Sequence, residues 1–399
     1  MRNAHLLACA ILLACSSNGG GTHPSPGCTG GDDEGTGGSA TGGSPGTGGA
    51  PVKKDAVPTE PDAGVPDGGG GEAGPPSTAD CAFASASLFC NTLRELPKTI
   101  KETGLFPAAP DFSKRPASLR EYVPEPALWS DGMAKQRFLL LPQGTKIDNA
   151  NPKRWVFPIG TVFIKTFFDE GAAKPRPIET RFIRRIAGDD AFVQYDYNVY
   201  RWNADGTDAA LLDIEGKRTP VTITIKALGA PFSHDIPSRD DCGQCHDANA
   251  KVAQTFIGFD EIRLGSKAGQ LDGFAPLFTQ PPPAKPAAIT DPDARLQRVK
   301  QFVFGNCVHC HNGGRLVDLH PELLVANTVG KMADASGIAP PAGYLRVAPG
   351  KPEMSIVYVE TRRTMLPTGL KPMPPVGVAL PDAPALEDLR DWILAMPAK

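Results

Sequence analysis

Hydrophobic positions change their period along this chain. Between residues 154 and 226 they recur in twos. RWVFPIGTVFIKTFF (154–168) is dense in aromatic and branched residues and is broken by a turn signal at Pro158-Ile159-Gly160. IETRFIRRI (178–186) and DAFVQYDYNVYRWN (190–203) follow, and in the latter Val193, Tyr195, Tyr197 and Val199 fall on one face. Asp205-Gly206 marks a turn, and VTITIK (221–226) alternates again. Five or more short strands at this spacing predict an antiparallel sandwich or barrel. No nucleophile elbow, P-loop or dinucleotide fingerprint interrupts them.

After residue 290 the period lengthens. TDPDARLQRVKQFVFGN (290–306) opens with Thr290 or Asp291 as N-cap and Pro292 in the first turn. Leu296, Val299, Phe302 and Val303 then recur at helical spacing. PALEDLRDWILAM (384–396) places Leu386, Leu389, Trp392, Ile393 and Met396 on one stripe, with Trp392 and Phe302 expected to pack between the helices. The stretch between the two is dense in Pro and Gly and reads mostly as loop. A further short helix is expected at LFCNTLREL (88–96).

Composition adds a third texture. The chain has 399 residues, 43 of them Gly and 41 Pro, and nearly half of the glycines lie in residues 16–80. Such a segment buries too little apolar surface to offset its ordering entropy. It reads as a tether, with a root-mean-square reach of roughly 45 Å as a flexible coil. Ahead of it, LLACAILLA (6–14) is an apolar run too short to span a bilayer as a helix. The following LLAC resembles a bacterial lipoprotein signal, which implies Cys15 as the lipidated residue of an exported, envelope-anchored protein. The alternative is an ordinary secretory signal cut nearby. The domains expected are therefore a signal (1–15), a tether (16–80), a β-rich domain (81–289) and a helical domain (290–399). A formal net charge of −3, without a basic stripe, gives no reason to expect nucleic acid.

Nine cysteines sharpen the chemistry. An exported chain permits disulfides, and Cys81 and Cys90 are the natural pair, leaving Cys28 in the tether as the odd one. DDCGQCHDAN (241–250) and GNCVHCHNGG (305–314) each hold C-x-x-C-H: Cys242, Cys245 and His246, then Cys307, Cys310 and His311. This is the signature of covalent c-type haem attachment. Two thiols three positions apart each form a thioether with a vinyl group, and the next residue offers an imidazole to the iron. A redox C-x-x-C needs no trailing histidine, and half a zinc site needs a similar partner nearby. His309, inside the second motif, and His320 read as solvated side chains.

Residues 290–399, with helix, C-x-x-C-H, loops, LKPMPPVG and closing helix, resemble an all-α class I cytochrome c domain. The resemblance implies His311 and Met373 as axial ligands, with Met354 and Met365 as rivals for the sulfur. Met/His ligation raises the iron potential. More widely, LWSDGMAKQRFLLLPQG, WVFPIGTVFIKTF, ETRFIRR, YRWNADGTDAALL, IPSRDDCGQCH, NCVHCH and MPPVG resemble a family of bacterial dihaem c-type cytochromes over residues 105–399. That implies two covalent haems and an electron-transfer setting, and it names no substrate. For the first motif the sixth ligand stays open among His234, Met133, a residue of the other domain, or none.

Three readings result. One is an exported electron carrier meeting a periplasmic or cell-surface redox partner. A second is a peroxidase-like enzyme with an open first haem. In the third, the β domain is a binding module served by a monohaem outlet. Trp155, Tyr195, Tyr197, Tyr200 and Trp202 would supply its platform, although such aromatics more often fill cores.

Overall fold

The computed structural model describes residues 96–171, 174–188, 193–225, 230–246, 256–314, 316–332 and 342–397. Cys15, Cys28, Cys81, Cys90, the signal, the tether and all but the last residue of the helix expected at 88–96 lie outside them. Everything described falls within one compact unit, Gly70–Lys399.

Six strands form an antiparallel sheet in chain order: β1 (Arg120–Glu121), β2 (Ala134–Leu140), β3 (Val162–Asp169), β4 (Arg176–Gly188), β5 (Val193–Trp202) and β6 (Ala209–Leu212). β1 and β6 stand at opposite edges, so among the described residues this is an open meander and not a closed barrel. A two-stranded ribbon, β7 (Thr219–Ile225) and β8 (Ala230–Ile236), supplies a partial second layer. Its Ile223 packs with Met133, Phe167 and Ile178, and its Val221 against Tyr197 and Val199. Residues 154–161, expected as strand, are not one. Pro158 and the positive φ of Gly160 (90°) turn the chain there, and Trp155 and Phe157 drop into an apolar cluster.

Period-two alternation gives the sheet two faces. One carries Phe138, Leu140, Val162, Ile164, Phe182, Tyr200 and Trp202 and is covered by Leu96, Ile100, Leu105, Phe106 and Phe112. The other carries Leu139 and Phe163, which join Trp155, Phe157, Phe256 and Phe259. Trp155, Tyr197, Tyr200 and Trp202 are all buried, and the Trp202 indole donates to Thr180 Oγ1 at 2.8 Å. These rings are core and form no exposed platform, although Tyr197 and Trp155 also border internal clefts.

Helices follow: α1 (Arg239–His246), α2 (Glu261–Gly265), α3 (Gln270–Gly273), α4 (Ala294–Asn306), α5 (Leu324–Thr328), α6 (Ile356–Arg362) and α7 (Ala383–Leu394). The N-cap of α4 is Asp293, not Thr290 or Asp291. Its carboxylate accepts from the amides of Arg295 and Leu296, while Asp291 pairs with Lys300. α5 and α6 interrupt the stretch expected to be loop. α4 and α7 share one core through Val299, Val303, Leu389, Trp392 and Ile393, with Phe302 packed at its margin. Arg298 closes the pair with a bidentate bond to Asp388 at 2.7 and 2.6 Å. None of the described helices is long and apolar enough to cross a membrane.

The helical segment is tied to the sheet region by polar contacts that are partly or fully buried. The Trp129 amide donates to Asn306 Oδ1 at 2.7 Å, and its indole to the Leu380 carbonyl at 2.8 Å. Asp131 accepts from the amides of Ala379 and Leu380, and Arg263 donates to the Phe304 carbonyl at 2.6 Å.

Candidate functional site

The first C-x-x-C-H lies on α1, and a capping box starts that helix. The Ser238 hydroxyl accepts from the Asp241 amide at 3.3 Å, and the Asp241 carboxylate accepts from the Ser238 amide at 3.0 Å. Arg218 grips the same carboxylate at 2.6 and 2.7 Å. These bonds, Arg218 first, hold the Asp241 pKa down at about 2, burial opposing them. A depressed carboxylate contributes stability above its unfolded value near 3.8, and that contribution is lost as the pH falls toward 2. Ser238→Ala is expected to cost about 1 kcal/mol. Urea titrations at pH 7 and pH 3 check this, and the penalty of the substitution should shrink at the lower pH.

The second motif follows α4 directly. The amide of Cys307 still donates to the Val303 carbonyl at 2.8 Å, and that of His311 to the Cys307 carbonyl at 2.9 Å. Within this turn Val308 enters the α4–α7 core. His309 points elsewhere and is buried, only 5% exposed, so it is not the solvated side chain expected from its polar setting.

The fold brings the two motifs face to face. The Cys310 sulfur lies 3.9 Å from the Gln244 carbonyl of α1. Donor atoms of Cys245, His309 and Cys310 all fall within 4.8 Å of one another. Burial pushes the thiols of Cys242 and Cys307 up to about 11 and 12, so both are neutral. Cys310 is lowered by the hydrogen bond with Cys245, with His309 adding to it, and Cys245 is raised in turn. Burial, then the nearby His309, Lys165 and Arg181, holds His246 at about 3. Burial lowers His311 as well. Both motif histidines are therefore neutral imidazoles at neutral pH, the form that binds metals. The Nδ1 atoms of His246, His309 and His311 are buried without a hydrogen-bond partner.

A cleft with about 1270 Å³ of empty space, its mouth included, opens beside α1. Cys242, Cys245 and His246 form one wall, Phe163, Tyr197 and Phe256 add rings, and Gly305 and His309 come from the second motif's side. A second cleft, with about 1730 Å³ of empty space including its mouth, shares Phe256, Ile257, Gly258, Arg263 and His309 with the first.

The sheet contributes charge to the first cleft. Register sets Arg137 of β2 beside Lys165 of β3, and Lys165 beside Arg181 of β4, all facing the cleft. Like charges directly opposite one another on adjacent strands are destabilising. Lys135 adds a fourth cation two residues along β2. Glu179 offsets part of this charge, yet it already binds Arg181 bidentately at 2.6 and 2.9 Å and His234 at 2.8 Å. Burial first, then Arg137, Lys135 and Arg181, holds Lys165 well below the usual lysine range. Lys135 is pushed down to about 7 for similar reasons. A low-dielectric cleft lined by Arg137, Arg181 and a lysine whose charge burial disfavours would favour an anionic group, which restores that charge.

The remaining candidates take other places. His234 is buried and bound to Glu179, and Met133 sits in an apolar cluster. Met365 is exposed. His320 is only half-buried and bonds Asp318 at 2.6 Å. Met373 is half-buried on the loop after α6, its amide donating to the Glu360 carbonyl at 3.1 Å. Pro374, Val376, Gly377 and Val378, just beyond it, wall the first cleft. Reading the sequence alone missed His309 and the cation row. A signal for the row was present in the alternation of Lys135 with Arg137 and of Lys165 with aromatics. The chain matches no protein-family model, no curated protein and no solved structure.

Proposed function

We propose that this chain is an exported c-type cytochrome carrying two covalent haems, and that it works as an electron carrier. The observation that carries this reading is the cleft in which a complete C-x-x-C-H meets a row of under-compensated cations. A haem is a flat apolar ring with two carboxylates. The aromatic wall suits the ring, and Arg137, Lys165 and Arg181 suit the carboxylates. The neutral imidazole of His246 suits the iron. When bound, haem supplies reversible one-electron exchange at its iron.

The chain's own groups then have these tasks. Cys242 and Cys245, and Cys307 and Cys310, would hold the two groups as thioethers, each thiol adding across a vinyl double bond with its proton going to the second carbon. His246 and His311 would offer their imidazoles to the two irons. Met373 would offer its sulfur to the second, residues 290–399 then acting as a class I cytochrome c domain. The 3.9 Å approach of Cys310 to the Gln244 carbonyl supports electron transfer between the groups that the two motifs would hold. Lipidation at Cys15 anchors the protein to the envelope, and the tether lets it reach a periplasmic or cell-surface redox partner.

One observation favours a second reading. Cys245, His309 and Cys310 present three soft donors within 4.8 Å, a set that zinc accepts. That site would leave Cys242, Cys307 and His311 without a task, so haem explains more of the residues. The exported protein, produced with a cytochrome maturation system, is expected to hold about two haems per chain by pyridine haemochrome against amino-acid analysis. Cys242→Ala with Cys245→Ala should lower this to about one, and Cys307→Ala with Cys310→Ala should do the same. A haem-free chain holding stoichiometric zinc would establish the second reading.

A further inference from the structure

We propose that His309, from inside the second C-x-x-C-H, is the distal axial ligand of the iron held at Cys242, Cys245 and His246. This rests on the two-haem reading above and deepens it.

The argument starts from local geometry. In the Cys307–His311 turn, neighbouring side chains leave in different directions. Val308 goes into the α4–α7 core, and His309 goes toward α1 and the sheet. There it is 5% exposed, its Nδ1 has no hydrogen-bond partner, and it stands in the wall common to both clefts. Burying a polar atom without a partner costs free energy on the order of a lost hydrogen bond, so the imidazole is held there against a penalty. What lies beside it are the sulfurs of Cys245 and Cys310. Once both are thioethers they carry no proton to donate and no charge to attract. The ring then stands beside Cys242, Cys245 and His246 with an orphaned nitrogen that a metal in that cleft would engage.

The alternatives are engaged elsewhere. His234 is bonded to Glu179 at 2.8 Å, and Met133 packs with Phe167, Ile178 and Ile223. His246 and His309 are the imidazoles lining the first cleft, and both have an unpartnered Nδ1. Two imidazole ligands give a six-coordinate, low-spin iron with no open position. That favours electron transfer over peroxide chemistry. It also couples the two centres, because the ligand of the first is fixed between the two cysteines that anchor the second.

The test uses full-length protein loaded with both haems. Wild type should be wholly low-spin when oxidised and should bind no carbon monoxide at the first iron when reduced. His309→Ala should keep about two haems per chain, become high-spin at about one of them, and gain about one carbon monoxide per chain. Added imidazole should restore the low-spin spectrum. His309→Met should remain low-spin with an altered ligand-field spectrum, which keeps the test open if the alanine variant loads poorly. The proposal is overturned if wild type already has one high-spin haem, or if His309→Ala stays low-spin with both haems present. A wild-type count of one haem overturns the two-haem reading itself, and the ligand assignment with it.

Discussion

Asp196→Ala is expected to lower folding stability by about 3–5 kcal/mol, because it leaves a buried guanidinium without its carboxylate. Arg184 on β4 is 1% exposed and donates to Asp196 Oδ2 through Nη2 and, at 3.1 Å, through Nε. Asn198 donates to the same oxygen at 2.7 Å. Asp196 Oδ1 accepts from Arg239, the first residue of α1, at 3.3 Å. One carboxylate on β5 thus joins two strands of the sheet to the helix that carries the first C-x-x-C-H. Its loss should show twice. Urea unfolding followed by circular dichroism should give a lower midpoint with an unchanged slope. On the two-haem proposal, the absorbance of the group at Cys242 and Cys245 should broaden in folded protein, because α1 is less firmly placed. Asp196→Asn keeps acceptor geometry without the charge and should fall between the two. A loss below about 1 kcal/mol for the alanine variant would mean that other groups hold Arg184, and that α1 does not depend on this contact.

The parts of the molecule legible in the sequence are those where one rule acts alone. Leu386, Leu389, Trp392 and Ile393 share a stripe, and α7 follows it from Ala383 to Leu394. Val199 and Tyr197 alternate with polar neighbours, and β5 runs through them. Where two local signals compete the reading slips. Asp291 and Asp293 both resemble N-caps, and the choice falls to Asp293 because Lys300 reaches back for Asp291. The cleft face of β2 carries Lys135 and Arg137, so its alternation is hydrophobic on the wrong side for a half-solvated strand, and β2 was not predicted as a separate element. The two motifs were plain from spacing. Their meeting was not, because it brings together residues sixty-five positions apart, and only the packing of the Cys307–His311 turn against α1 decides it. The same holds for His309: nothing local says which way a side chain leaves a turn.

The cation row makes the second strong prediction, and here the sign carries the content. Lys165 lies between Arg137 and Arg181, largely buried, over the Phe167 ring at 4.5 Å. With the first cleft empty, a buried lysine among cations is a cost. Below its lowered pKa it is charged in both folded and unfolded chain, and the penalty is complete. As the pH rises toward the unfolded lysine value near 10.5 the unfolded chain binds more protons, so stability climbs. Lys135, held at about 7, acts in the same direction across pH 7 to 10.5. Lys165→Met in a Cys242→Ala, Cys245→Ala background, which on the two-haem proposal lacks the first haem and keeps the second, should therefore stabilise at pH 7 by about 1–3 kcal/mol and flatten the alkaline rise. In fully loaded protein a haem carboxylate would turn that lysine into a charge-assisted hydrogen-bond donor. The same substitution should then destabilise by about 1–3 kcal/mol. The cycle of four proteins isolates the coupling between Lys165 and the group at Cys242 and Cys245. Opposite signs in the two backgrounds mean that the row exists to receive an anion bound in that cleft. Equal signs mean that the charge is matched from outside it, and Arg137, Lys165 and Arg181 do not hold the haem carboxylates.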